Sequence, residues 1–94
     1  MTAPEHITTW TTQEVVSVLR TLANEKDLPE HLITAEITAA DSVRTLGIDS
    51  LGQVYLIERL EEMTGVLMPD DFLDVKDNIA AIAERLNQIA RGKK

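Results

Sequence analysis

Ser50 lies in Gly47-Ile48-Asp49-Ser50-Leu51-Gly52 and is the one serine of the chain with glycines close on both sides. A serine in such a setting can act as a nucleophile, receive a group, or cap a helix. The nucleophile reading fails on its neighbours. A hydrolase elbow needs a glycine two residues before the serine, and that position is Ile48. It also needs a preceding strand and a histidine held nearby, and neither pattern is evident. His6 and His31 are far apart and have no companion ligands, so both read as surface side chains. The acids between Asp70 and Asp77 lack the alternating spacing and central glycine of a calcium loop. They read as caps and solvated charge. A pair of carboxylates working as acid and base would need a walled cleft, which a chain this small hardly offers. Cysteine is absent, so thiolate nucleophiles, disulfides and soft-metal sites are excluded together. No catalytic and no metal-ligating set emerges.

As a recipient, Ser50 makes better sense. If Asp49 is an N-cap, Ser50 is the first helical residue. Its hydroxyl then projects from the positive end of a helix, beside unpaired backbone N–H groups, where a phosphate ester is electrostatically favoured. Leu51 and Tyr55 fall on the outward face, with Glu58 and Glu62 further along it. An exposed apolar pair edged with acids suits the grip of a transient partner. The competing reading is purely structural: Ser50 caps, Leu51 folds back on the preceding loop, and Tyr55 covers the edge of the core. On residue types alone both stand.

Three amphipathic segments must position these residues. Thr11 and Glu14 form a capping box before Val15, and Trp10 is placed to staple onto Val15. Val15, Val16, Val18, Leu19, Leu22 and Ala23 then share one arc at about 100° per residue, which predicts a helix over 12–24. A second helix is expected over 50–64, ended by Gly65, with Val54, Leu56, Ile57, Leu60 and Met63 as its apolar arc. Asp77 is expected to cap a last helix reaching about Ala90, with a stripe of Ile79, Ile82, Ala83, Leu86 and Ile89. Pro69 through Asp74 reads as a short additional helix, with Phe72, Leu73 and Val75 packing inward. Residues 25–48 follow neither helical nor strand periodicity, although Pro29 can open a short turn. Their scattered aliphatics predict a long loop pinned to the core. The expected fold is all-α, a small four-helix bundle of three amphipathic helices and one short helix, with a long first loop.

The 94 residues and 10.4 kDa fit one domain over 1–94, with a loose lead-in at 1–10 and a basic tail at 91–94. No apolar run is long enough to span a membrane, and the start of the chain does not read as a secretory signal. A cytoplasmic monomer is the expectation. The net charge of −7 argues against nucleic-acid partners. The excess is local: residues 49–77 hold eight acids against Arg59 and Lys76, a net of −6. That third of the chain would steer a cationic protein surface toward itself.

Leu46-Gly47-Ile48-Asp49-Ser50-Leu51 resembles the attachment motif of acyl carrier proteins, where Asp-Ser-Leu opens the second helix. The likeness continues through Leu60-Glu61-Glu62-Met63, Val66-Leu67-Met68-Pro69-Asp70-Asp71 and Ile79-Ala80-Ala81-Ile82, covering 11–86. The resemblance implies a non-enzymatic carrier. Its Ser50 would be esterified with 4′-phosphopantetheine from coenzyme A by a phosphopantetheinyl transferase, and the thiol of that arm would hold acyl groups as thioesters. It further implies that a loading ligase and a downstream synthase or transferase dock basic residues on Asp49, Leu51, Glu58 and Glu62. Gly52, Gln53, Tyr55 and Arg59 stand where carriers of fatty-acid synthesis are commonly acidic, which points to a specialised stand-alone carrier in secondary metabolism or envelope modification. Gly52 also resembles free-standing aminoacyl carriers of the D-alanyl type, which is the alternative. An unmodified acidic helical adaptor using the Leu51 and Tyr55 face is the remaining one.

Overall fold

The computed structural model describes residues 9–69 and 72–92. Three α-helices carry the architecture: α1 over Thr12–Asn24, α2 over Ser50–Thr64 and α3 over Ile79–Gly92. A 3₁₀ turn at Glu30–Ile33, entered through Pro29, interrupts the first connection. The class is all-α, and no strand occurs among the described residues, only an isolated bridge between Ser42 and Asn78. None of the described helices is long and apolar enough to cross a membrane.

Each helix starts and stops for a local reason. Thr11 Oγ1 accepts the Glu14 N–H at 3.2 Å, which opens α1. The chain leaves α1 through Lys26 in the left-handed region (φ 71°), with Lys26 N–H donating to Ala23 O and Asp27 N–H to Leu22 O. Gly65, at φ 73°, ends α2 by donating to Glu61 O at 2.8 Å. For α3 the expected cap was one residue early. Asn78 Oδ1 accepts the Ala81 N–H at 2.8 Å, while Asp77 turns away to hold Arg85.

Helix α1 is the hub: it packs on the 3₁₀ turn, on α3 and on α2. The core joins Val15, Leu19 and Leu22 of α1 to Leu56 and Leu60 of α2 and to Ile79, Ile82 and Leu86 of α3. Trp10 is buried as well, at 3% exposure. Its backbone N–H and carbonyl are both bound by the side chain of Asn87 on α3, and its indole N–H is buried with no hydrogen-bond partner among the described residues. The lead-in is therefore already part of the core by residue 10.

The long connection from Glu25 to Asp49 is pinned, as its aliphatics predicted: Leu28, Leu32, Val43, Leu46 and Ile48 are all buried. Its backbone is also tied down. Arg20 Nη1 lies 3.0 Å from each of the Leu32, Ile33 and Ala35 carbonyls. Further on, Val43 N–H donates to Asp77 O and Arg44 N–H to Val75 O, while Ile79 N–H returns to Asp41 O. Buried or half-buried loop backbone thus finds partners without a sheet.

The short fourth helix expected over 69–74 is not seen: the described residues there, 69 and 72–74, are not helical, and Asp70 and Asp71 lie outside the described set. Phe72 N–H donates to Pro69 O at 3.0 Å, and beyond it Asp77 Oδ2 accepts the Asp74 N–H at 2.8 Å and Asp74 Oδ1 the Lys76 N–H at 3.0 Å, so aspartate side chains take up backbone donors from residue 74 on. Phe72 and Leu73 still pack inward.

Arg85 locks this segment by binding both carboxylate oxygens of Asp77 and donating to Phe72 O at 2.9 Å. The Arg85 hydrogen bond is the main reason the Asp77 carboxyl lies below its ordinary value of 3.8; partial burial opposes it and the Asp74 N–H assists. A carboxyl lowered in the fold binds its proton more readily when unfolded. Its contribution is therefore present above 3.8 and fades as the pH falls through the lower folded value. Urea melts from neutral to acid pH should show wild type losing more stability on this limb than Asp77→Asn. Parallel profiles would remove the pair from the acid response.

Candidate functional site

The site begins with a turn. Residues 43–47 form a turn, in which Leu46 N–H donates to Ser42 O at 3.0 Å and Gly47 stands at φ 77°. Ile48 N–H donates to Val43 O at 3.1 Å and Gly47 N–H to Arg44 O at 3.0 Å, a pair of bonds that closes the turn around a left-handed residue. Leu46 and Ile48 drop their side chains into the core, which leaves Asp49 and Ser50 facing out.

Asp49 is extended (φ −84°, ψ −176°) and caps α2 as expected. Its Oδ1 accepts the Gly52 N–H at 2.8 Å and its carbonyl accepts the Gln53 N–H at 2.9 Å. Ser50 is the first helical residue and is exposed, and its hydroxyl has no hydrogen-bond partner among the described residues. Asp49→Ala should cost roughly 1 kcal/mol in a urea melt. A neutral result would show that the cap does not hold the start of α2.

Gly52 is buried for a packing reason. A Cβ there would lie 2.9 Å from Leu28 Cδ2 and 3.0 Å from Ile48 Cγ2. This close approach presses the first turn of α2 onto the loop.

The outward face differs from the expected one at two positions. Gly52, Leu56 and Leu60 form the buried seam of α2. Val54, assigned to the apolar arc, lies about 160° around the helix from Leu56 and is 48% exposed. Tyr55, assigned outward, is half-buried on the flank. Leu51 is 58% exposed, as expected, and Glu58 and Glu62 are exposed too. The apolar pair beside Ser50 is thus Leu51 with Val54.

Neighbouring groups refine the charge. Arg59 donates to Glu25 Oε1 at 2.6 Å and lies 3.6 Å from Glu62, so Glu62 is partly neutralised by its own helix. Glu61 is turned to structural use, accepting the Met68 N–H at 2.8 Å. That bond sets the loop after α2 beside the helix and leaves a groove of 390 Å³ lined by Val54, Ile57, Glu58, Glu61, Met68 and Pro69. No cluster of metal-ligating side chains occurs among the described residues.

Residues 15–86 match the family model described as the phosphopantetheine attachment site. The chain belongs to the phosphopantetheine attachment-site family. No curated protein and no solved structure matches it. Members of this family are carrier domains and not enzymes; they bear a covalent 4′-phosphopantetheine placed by a phosphopantetheinyl transferase, and they work with partner enzymes. The chain fits that prosthetic group. An accessible hydroxyl at the positive end of a 15-residue helix suits a phosphodiester, whose charge the first-turn N–H groups would face. When bound, the group supplies a flexible thiol for thioester chemistry.

Proposed function

We propose that Ser50 is the attachment point and that the protein carries acyl groups. The observation that carries the reading is the Ser50 hydroxyl: exposed, unbonded within the described structure, and held on the opening turn of α2 by the Asp49 cap. In the modification, Ser50 Oγ forms a bond to the phosphorus of coenzyme A that bears the pantetheine. The bond from that phosphorus to the adenosine bisphosphate leaving group breaks, and the serine proton passes to a base of the transferase.

One feature favours an acyl cargo over an aminoacyl one, and the residue that resembles the aminoacyl type has a packing cause instead. The groove beside Val54 is walled largely by aliphatic and thioether carbon, which suits a hydrocarbon chain. Gly52, the residue that resembles the D-alanyl type, is accounted for by its contact with Leu28 and carries no cargo information. Partner enzymes of the cytoplasm would meet Leu51, Val54, Asp49 and Glu58 with an apolar side chain and basic residues. Tyr55 and Glu62 contribute at the margin of that face.

The experiment is to incubate apo protein with coenzyme A and a broad-specificity transferase, weigh the intact chain, and map the added mass. A single phosphopantetheine on Ser50 is expected. An unchanged mass, or the group on another residue, would overturn the assignment.

A further inference from the structure

We propose that His31 is a positioning residue for the modification of Ser50, a reading that rests on Ser50 as the attachment point. His31 lies in the 3₁₀ turn, 19 positions before that serine, and its ring reaches the turn that presents it. His31 Nε2 is 3.0 Å from Leu46 O. A carbonyl can only accept, so the ring must carry its proton on Nε2 and donate. The ring also lies against the turn itself: a Cβ at Gly47 would be 3.6 Å from His31 Cε1.

The bond matters because of the peptide it holds. The unit between Leu46 and Gly47 has one end fixed by Gly47 N–H donating to Arg44 O at 3.0 Å. Its other end is the Leu46 carbonyl, on which His31 is the one hydrogen-bond donor among the described residues. Gly47, at φ 77°, has no Cβ to resist rotation of this peptide. His31 therefore supplies the restraint that the glycine lacks. Downstream, Ile48 is anchored in the core, but Asp49 and Ser50 are exposed and inherit the orientation of the turn. Losing the bond should widen the range of positions of Ser50 Oγ while leaving the buried side chains in place.

In-line attack requires the hydroxyl within near-attack distance of phosphorus, and small misplacements there cost rate steeply. With coenzyme A and a broad-specificity transferase, His31→Ala should lower kcat for modification about tenfold. KM should be unchanged, because the docking face on α2 is intact. The thermal midpoint should also stay at the wild-type value, since His31 is exposed and outside the core. His31→Gln, whose amide N–H can donate to the same carbonyl, should restore the wild-type rate. Wild-type kinetics for His31→Ala would overturn the proposal. So would an equally slow His31→Gln, which would place the cause elsewhere than in the hydrogen bond, or a defect confined to KM, which would make His31 a docking contact. If wild type itself gains no mass, the Ser50 assignment falls and this proposal with it, an outcome distinct from the other three.

Discussion

Ser50→Ala should reduce phosphopantetheine incorporation to background while leaving the fold intact. Removal of any residue on a marginally stable domain can abolish a reaction by unfolding it, but Ser50 is well placed to avoid that ambiguity. It is exposed, its hydroxyl makes no hydrogen bond among the described residues, and the Gly52 N–H is capped by Asp49. Alanine is the best helix former and suits an early helical position. The stability change should therefore stay within about 0.5 kcal/mol. Intact-mass spectrometry with a parallel urea melt checks both halves. Incorporation into the alanine variant at the wild-type rate would remove Ser50 from the reaction, and a large loss of stability would show that its hydroxyl has a structural task.

The second large effect separates the two faces of α2. Leu60 is fully buried, and truncating it to alanine should cost about 2–5 kcal/mol. That is a large share of the roughly 5–15 kcal/mol that stabilises a domain, and a 94-residue chain has little surplus core. Leu51 has the same side chain on the same helix but is 58% exposed, so Leu51→Ala should cost no more than about 0.5 kcal/mol. Its effect should appear instead as weaker loading by a partner enzyme. Equal losses of stability for the two variants would contradict the buried seam through Gly52, Leu56 and Leu60.

Hydropathy and capping chemistry made much of this legible in the sequence. The limits of α1 and α2 follow from Thr11, Asp49 and Gly65, because those residues act locally and their partners are three or four positions away. Features that depended on distant partners were not legible. Arg20 stands outside the apolar arc of α1, where nothing local shows that it holds three loop carbonyls. His31 reads as a surface side chain and is one, but its bond to Leu46 needs the loop to be folded first. The exchange of Val54 and Tyr55 has a similar origin. Gly52 contributes nothing to a hydropathy arc, although its close packing on Leu28 fixes the rotation of α2 about its axis. Nor were the bonds legible by which Asp74 and Asp77 hold backbone N–H groups of the segment before α3, which composition registers only as acidity.

The chain has a single tryptophan, and it sits in the core between the start of α1 and Asn87 of α3. It is therefore an intrinsic optical gauge. An indole buried in this way should emit at short wavelength, and any parting of the helices that let water in would allow solvent to relax around the excited ring and move the spectrum to longer wavelengths. Opening of the core can then be followed in real time on unlabelled protein.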